Sequence, residues 1–230
     1  TEDNKGILWL GTARGLSAFN PATAESVNYL HTPTKNNSLS ENIVWDVVFT
    51  HSGQLWVGTQ NGLNLFRPET QDFVRFTEDV VNIDNGRLPN SYINSLYEDA
   101  RGRLWIGMYG GGVSIIDPFK RKFDIVRRDL LQHRLRTLPD NNIWAVYQDY
   151  HDIVWIGTVR GLASYNLHTK EIRVFHNDTL TFGSMSDNIN FLTGDSEGKI
   201  WCSTYGGGLN VFDAAKGKYI AHYGYEEGNS

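Results

Sequence analysis

The chain has 230 residues, 40% of them hydrophobic and 13% aromatic, and a formal net charge of −5 at pH 7. This balance argues against the basic face that a nucleic-acid binder needs, and the single cysteine, Cys202, excludes an internal disulfide and a cysteine-built zinc site. No apolar run approaches the roughly 20 residues that span a bilayer, so a membrane helix is expected only in a longer parent chain.

One short segment with a tryptophan at its centre occurs five times along the chain. The repeat tryptophans are Trp9, Trp56, Trp105, Trp155 and Trp201, and successive ones are 46 to 50 residues apart. A period in the forties with four strand-like segments per unit is typical of propeller blades. The sequence therefore predicts an all-β fold, a β-propeller of about five four-stranded blades of about 48 residues each.

The second to fifth units each contain the same four predicted strands in the same order. The first, such as the strand from Ile93, ends six residues before the repeat tryptophan and leads into an Asp-x-x-Gly turn such as Asp99–Gly102. The second strand carries the tryptophan. The third begins at a glycine and alternates apolar with small or polar residues. A proline turn, as at Pro68, then leads to a fourth strand that suits an outer edge.

The spacing also predicts the limits of the units. They are 1–42, which lacks its first strand, then 43–91, 92–141, 142–187 and 188–230. Since the chain begins with Thr1 and stops where a sixth unit would start, we expect it to be a fragment of a larger propeller array. The linker at 128–135 is the only segment for which a short helix is predicted, and no change of composition indicates a second domain.

At the level of motif, the chain resembles the two-component regulator propeller repeat family. The resemblance is clearest in Asn37-Ser38-Leu39-Ser40-Glu41-Asn42-Ile43-Val44 followed by Gly53-Gln54-Leu55-Trp56-Val57-Gly58-Thr59-Gln60-Asn61-Gly62-Leu63-Asn64-Leu65-Phe66, and it extends over all five units. It implies a periplasmic sensor region of a hybrid two-component regulator or of a membrane protein linked to a diguanylate cyclase. Several such regulators sense oligosaccharides, so the resemblance also implies a small-molecule ligand of that kind.

The family pattern is interrupted in three units. The fourth has Tyr150-His151-Asp152 where a turn glycine is expected. The third and fifth replace the usual turn with Tyr109-Gly110-Gly111-Gly112 and Tyr205-Gly206-Gly207-Gly208. These departures leave the fold prediction intact and indicate where side-chain recognition is specialised.

The repeat tryptophans are predicted to pack one blade against the next, since they recur at one place in every unit and large aromatic side chains dominate burial. The position eleven residues before each of them varies instead. It carries Trp45, Asn94, Trp144 and Asn190. These residues are predicted to lie near one mouth of the central channel, where aromatic rings and amides suit a sugar. The alternative is that the two tryptophans fill space between blades.

A second candidate set lies in the turns between the second and third strands. It comprises Arg14, Asn61, Tyr109, Arg160 and Tyr205. If these turns share a face, the cations and phenols suit an anionic or polyhydroxy ligand; the alternative is that they are ordinary exposed turn residues.

The remaining motifs favour no catalytic chemistry. The Asp-x-x-Gly turns lack the oxygen ligands of a calcium loop, the histidines lack metal-ligand spacing, and there is no phosphate loop or nucleophile elbow. No cofactor or metal is predicted. The leading hypothesis is a periplasmic carbohydrate sensor. The alternatives are a scaffold that binds other blades or a second copy of the chain, and a polysaccharide lyase or hydrolase.

Overall fold

The structure is a computed structural model that describes residues 1–77, 88–116, 123–128, 137–176 and 186–224, except for the side chains of Phe123 and Asp124. Every regular secondary-structure element within these ranges is a β-strand, so the all-β prediction is confirmed. The predicted helix at 128–135 falls almost wholly outside the described residues. In those ranges no helix is long and apolar enough to cross a membrane.

The described strands form five antiparallel sheets, numbered here in chain order. Sheet 1 contains β1 (Leu8–Thr12), β2 (Gly15–Asn20) and β3 (Glu25–Tyr29). Sheet 2 contains β4 (Val44–Phe49), β5 (Leu55–Thr59), β6 (Gly62–Arg67) and β7 (Asp72–Phe76). Sheet 3 contains β8 (Ile93–Glu98), β9 (Leu104–Met108), β10 (Gly112–Ile116) and β11 (Phe123–Val126). Sheet 4 contains β12 (Ile143–Gln148), β13 (Ile153–Thr158), β14 (Gly161–Asn166) and β15 (Ile172–Phe175). Sheet 5 contains β16 (Ile189–Gly194), β17 (Lys199–Thr204), β18 (Gly208–Asp213) and β19 (Lys218–Tyr223).

In every sheet, strands that follow one another in the chain are neighbours. This is the meander order of a propeller blade, and it confirms the predicted number of blades. Sheet 1 has three strands where the others have four, as expected for a unit that lacks its first strand. The chain divides into two compact units, Thr1–Ile125 with sheets 1 to 3 and Val126–Ser230 with sheets 4 and 5.

The core of the first unit lies between successive sheets. Trp9 and Leu16 of sheet 1 pack with Val44 and Leu55 of sheet 2 in one buried cluster. A second cluster joins Trp56 and Leu63 of sheet 2 to a group of apolar residues in and just before sheet 3. These residues are Leu88, Ile93, Leu96, Leu104, Ile106 and Met108. The tryptophan faces of sheets 1 and 2 are thus covered by the sheets that follow them.

The second unit repeats this arrangement. Trp155 and Leu162 of sheet 4 pack against Ile189, Leu192 and Phe212 of sheet 5.

Four of the five repeat tryptophans are buried. The exposed fraction is 7% for Trp9, 7% for Trp56, 0% for Trp105 and 3% for Trp155. The predicted packing role of the repeat tryptophans is confirmed for sheets 1, 2 and 4. Trp201 of sheet 5 is only half-buried.

In sheets 1, 3, 4 and 5 the first turn also holds the repeat tryptophan. In the turn of sheet 3, one oxygen of Asp99 accepts the backbone amides of Arg101 and Arg103, and the other accepts the indole N–H of Trp105 at 2.8 Å. Asp3, Asp149 and Asp195 accept an indole proton in the same way. The Asp-x-x-Gly segments are therefore hairpin turns, as predicted, and they also fix the orientation of the buried ring.

Candidate functional site

Each of the four four-stranded sheets has a β-bulge near the start of its first strand in the chain, the inner strand of the blade. These inner strands are β4, β8, β12 and β16. In β4, Val44 pairs with Thr59 and Asp46 pairs with Gly58, so Trp45 is the extra residue between the two pairs. The bulge residues of the other three strands are Asn94, Trp144 and Asn190. The variable position found in the sequence therefore coincides with a repeated bulge, a device that redirects a side chain and recurs near functional sites.

The four bulge side chains differ in accessibility. Trp45 is 45% exposed, Asn190 is exposed, and Trp144 is half-buried. Asn94 is 7% exposed and so offers a ligand little surface. Among the predicted channel-mouth residues, Trp45 thus presents the largest accessible ring.

The turns predicted as a second set lie beside the bulges. The backbone amide of Tyr109 donates to the carbonyl oxygen of Tyr92, just before β8, at 2.9 Å, and the amide of Tyr205 donates to the carbonyl of Asn188 at 2.8 Å. Gln60 and Val159 donate to Ile43 and Asn142 in the same manner. Within each sheet, the second-to-third-strand turn and the bulge are therefore at the same end.

The turn side chains themselves are mostly directed into solvent. Arg14, Asn61, Tyr109, Arg160 and Tyr205 are all exposed, and the Tyr205 ring is 76% exposed. Arg160 forms an ion pair with Asp140 at 3.4 Å. Thr12, Thr59 and Thr158 hold the backbone of the three shorter turns by accepting an amide from the residue two positions later.

In the first compact unit, Thr1–Ile125, a bulge residue and a turn residue from the two predicted sets meet through a third residue that was not predicted from the sequence. The Trp45 and Tyr92 rings stack with centroids 5.8 Å apart at 27°, and the Tyr92 and Tyr109 rings lie 5.5 Å apart at 35°. We call Trp45, Tyr92 and Tyr109 the aromatic cluster. Tyr109 is 47% exposed, so rings at both ends of the cluster are accessible. Such offset geometries are favourable for aromatic pairs.

Tyr92 is fixed between its neighbours. The Trp45 indole donates a hydrogen bond to the Tyr92 phenol oxygen, and burial raises the pKa of that phenol, with the Trp45 bond opposing the rise. A comparison of the repeats contains the signal for this residue, because the equivalent positions carry Ile43, Asn142 and Asn188. Among these four repeats, only the third has an aromatic residue at this position.

Asp46 anchors the bulge that carries Trp45. Its two oxygens accept the backbone amide of Val47 at 2.8 Å and the amide of Leu96, in β8 of the next sheet, at 2.7 Å. Burial raises the pKa of this carboxyl, although both amide bonds favour the charged form. The bulge of sheet 2 is thus tied directly to the inner strand of sheet 3, on which the rest of the aromatic cluster is built.

The cluster offers flat apolar rings beside phenol hydroxyl groups, which is the chemistry that recognises a sugar ring by stacking and hydrogen bonding. Within the described residues, no three His, Cys, Asp or Glu side chains converge to hold a metal ion. The accessible groups of the cluster are the rings of Trp45 and Tyr109.

Three segments of the chain match the model of the two-component regulator propeller family, at residues 38–61, 87–110 and 137–160. Each segment runs from the linker through the bulge and the repeat tryptophan to the following turn. No curated protein matches the chain.

Solved structures provide further similarity. The extracellular domain of the hybrid two-component system BT3049 from B. thetaiotaomicron is 25% identical with a TM-score of 0.73, over 96% of this chain and 27% of that chain. The extracellular domain of the one-component system BT4673 from the same organism is 19% identical with a TM-score of 0.55, over 96% and 36%. PorZ, a surface component of the type-IX secretion system of Porphyromonas gingivalis, is 18% identical with a TM-score of 0.66, over 94% and 32%.

The last two likenesses, below 25% identity, show the fold alone. In all three comparisons, this chain spans between about a quarter and about a third of the length of the similar structure.

Proposed function

We propose that this chain, three segments of which match the two-component regulator propeller family, is a ligand-sensing domain of a two-component-type regulator that binds a carbohydrate at the aromatic cluster. The role is one of binding rather than catalysis. The domain acts outside the cytoplasm, in the periplasm of a cell in which the parent protein is anchored in the inner membrane. The extracellular placement of the similar BT3049 domain supports this location.

The observation that carries the proposal is the convergence of the two variable positions on one accessible surface. Trp45 from the bulge of β4 and Tyr109 from the β9–β10 turn are both nearly half exposed, and Tyr92 joins them. A residue that only filled space between sheets would be buried, as Trp56 is at 7% exposure. Exposed aromatic rings on a rigid scaffold suit sugar recognition.

The position of the cluster suggests how binding reaches the rest of a regulator. Trp45 belongs to sheet 2, whereas Tyr92 and Tyr109 belong to the segment that builds sheet 3. A ligand that contacts all three rings stabilises one arrangement of these two sheets over others. Only such a difference in affinity between arrangements shifts a signalling equilibrium.

A thermal-shift screen of host and plant oligosaccharides, followed by calorimetry with the best glycan, tests the proposal. A glycan at a hundred times its dissociation constant should stabilise the chain by about 2.7 kcal/mol. Trp45→Ala and Tyr109→Ala should each weaken binding at least about tenfold, because each removes one stacking face.

Tyr205→Ala is the matched control. Tyr205 occupies the same Tyr-Gly-Gly-Gly turn in sheet 5, but the residue there that corresponds to Tyr92 is Asn188, so the central ring of the cluster has no counterpart. Binding should survive this change. An equal loss in the control and in Tyr109→Ala, or normal binding in Trp45→Ala, would show that the aromatic cluster is not the site.

A second candidate function, the binding of another copy of the chain, is favoured by the outer face of sheet 5. Phe191, Ser203, Leu209 and Tyr223 form one row across that face. Phe191 is 61% exposed and Tyr223 is 58% exposed. Tyr223 also stacks on the half-buried Trp201 at 6.2 Å and 9°. In sheets 1, 2 and 4 the corresponding tryptophan face is covered by the following sheet.

Sedimentation velocity over a range of protein concentrations tests this second function. Self-association that Phe191→Glu and Tyr223→Glu both abolish would support a docking role for the face. A chain that stays monomeric at high concentration, or that associates equally well in both variants, would eliminate it.

A further inference from the structure

The fourth sequence repeat, which forms sheet 4, departs from the common pattern at two separate places. Residues from both places line one groove between sheets 4 and 5. The groove has a volume of about 390 Å³, within the usual range for small-molecule sites. The groove lies in the second compact unit, Val126–Ser230, and none of its lining residues belongs to the aromatic cluster. The groove is therefore separate from the sensing site proposed above.

The first departure is in the row that flanks the repeat tryptophan. Trp155 pairs with Ser164, which pairs with Arg173. The same two places hold Ala18 and Val27 in sheet 1, Leu65 and Val74 in sheet 2, and Val211 and Ala221 in sheet 5. A short hydroxyl residue and a charged residue thus stand where these sheets place apolar side chains. The substitution leaves room against sheet 5 and makes that room polar.

The second departure is the turn at 149–152. Asp152 occupies a left-handed conformation with φ of 60°, a conformation that Gly102 and Gly198 supply in sheets 3 and 5. Asp152 is held there by Gln148 at 2.9 Å and by His168 at 2.8 Å. The turn therefore presents two aromatic side chains, Tyr150 and His151, and both line the groove.

Tyr150 bridges the first turns of sheets 4 and 5. A Cβ atom placed on Gly198, in the first turn of sheet 5, would lie only 2.7 Å from the Tyr150 hydroxyl. The ring thus extends from the turn of sheet 4 to the turn of sheet 5, and it packs on His151 with centroids 4.2 Å apart. Gly198 is the residue type that leaves room for this contact.

The charges of the lining favour a cation. The groove contains the carboxyl groups of Asp149, Glu171 and Glu197 and one guanidinium, that of Arg173. Asp149 is already occupied by the Trp155 indole and by the amides of His151 and Ile153. Glu171 contacts Arg173 through one oxygen at 3.3 Å. Glu171 and Glu197 stand on opposite walls, and together with the aromatic rings they provide acceptors and π-faces for an ammonium group.

We propose that this groove is a binding site for a small organic cation, an amine on an apolar body. The body lies against Phe175 and Ile153, and the ammonium group is held by Glu197 and Glu171 beside Tyr150. Because no three acidic or histidine side chains converge within the described residues, the carboxylates suit an extended organic cation rather than a metal ion. The net negative lining disfavours anions.

Calorimetry of the whole chain with 1,5-diaminopentane tests the proposal, with glucose and propionate as a neutral and an anionic comparison. We expect the diamine to bind and the comparisons not to bind. Ser164→Leu restores the residue type of sheet 2 and fills the groove, so it should abolish binding while the melting temperature is maintained or raised. Glu197→Gln should weaken binding roughly tenfold or more, since it removes a charge-assisted contact.

Glu69→Gln provides the control, because Glu69 is an exposed acid in a turn of sheet 2 outside the groove. This variant should bind the diamine normally. The proposal is overturned if the diamine does not bind, if glucose or propionate binds as well as the diamine, or if the groove variants and Glu69→Gln behave alike. Since Glu197 is exposed, its variant keeps the test decisive even if Ser164→Leu disturbs packing.

Discussion

At the residue scale, the aspartate that begins a first turn has two roles. One oxygen accepts backbone amides of the turn, and the other accepts the indole proton of the tryptophan six residues later, as for Asp149 and Trp155. Sheet 2 has Thr50 at this place, and its Trp56 indole lies 3.4 Å from Gln54 instead. The Asp-x-x-Gly spacing predicted the turn. It could not predict the indole bond, which depends on two side-chain rotamers.

Asp99→Asn is expected to lower the free energy of unfolding by about 2–4 kcal/mol. Asp99 is 1% exposed, and its carboxylate also pairs with the guanidinium of Arg103 at 2.6 Å, which would be left without its counter-charge. Thr50→Ala, at the equivalent place in sheet 2, should cost about 1 kcal/mol, the worth of an ordinary hydrogen bond. Urea unfolding measures both values, and equal losses would argue against the dual role of Asp99.

Truncation of the repeat tryptophans should follow their burial. Trp105 is fully buried, so Trp105→Ala should cost about 3–5 kcal/mol. Trp201 is half-buried and packs on an exposed tyrosine, so Trp201→Ala should cost clearly less. Denaturant midpoints for the two variants decide the matter, and a near-neutral Trp105→Ala would contradict the packing role.

At the scale of elements, the glycine two residues after the repeat tryptophan sets the distance between sheets. A Cβ atom on Gly58 would lie 2.8 Å from a methyl carbon of Ile93 in the next sheet, and one on Gly157 would lie 2.7 Å from Ile189. Sheet 5 has Ser203 at this place. The glycine is therefore required by close approach between sheets, a requirement that a single repeat does not reveal.

Gly58→Ala should destabilise the chain by about 1–3 kcal/mol through overpacking. Ile93→Ala removes the Cγ2 methyl group that the added Cβ would meet, so the double variant should lose less than the sum of the two single changes. Chemical unfolding of the three variants gives the coupling energy. Strict additivity would mean that the two residues do not meet as described.

The β6–β7 hairpin should contribute to acid sensitivity. Arg67 contacts both oxygens of Asp72 at 2.7 and 2.8 Å, and its hydrogen bonds, followed by that of Thr70, lower the pKa of Asp72 to about 2. The unfolded value is about 3.9. The stabilisation is therefore complete above about pH 4 and is lost as the pH falls through about 2.

Arg67→Gln should lower stability at pH 7 and flatten the loss of stability between pH 4 and pH 2. The effect should be small, because exposed ion pairs contribute little. Thermal melts across this pH range provide the measurement, with Arg14→Gln as an exposed control in another turn. An unchanged pH profile in Arg67→Gln would remove this pair from the acid response.

At the scale of the whole molecule, the repeats made the architecture predictable. The spacing of the tryptophans gave the number of sheets, and the turn residues gave the order of the strands within each sheet. The candidate site was only partly predictable. The position of Trp45 stood out because it varies between repeats, but a bulge leaves no periodic signal, and the contact of Trp45 with Tyr92 joins residues from different repeats. The groove between sheets 4 and 5 likewise requires side-chain volumes from two neighbouring sheets.

The distribution of tryptophans makes the intrinsic fluorescence of this protein a reporter of ligand binding at Trp45. Five of the seven indoles belong to the repeat positions, and four of those are at most 7% exposed, whereas Trp45 is 45% exposed. A soluble quencher such as iodide therefore reaches Trp45 far more readily than the buried rings. A sugar stacked on Trp45 would shield it, so protection from quenching would follow occupancy without any added label.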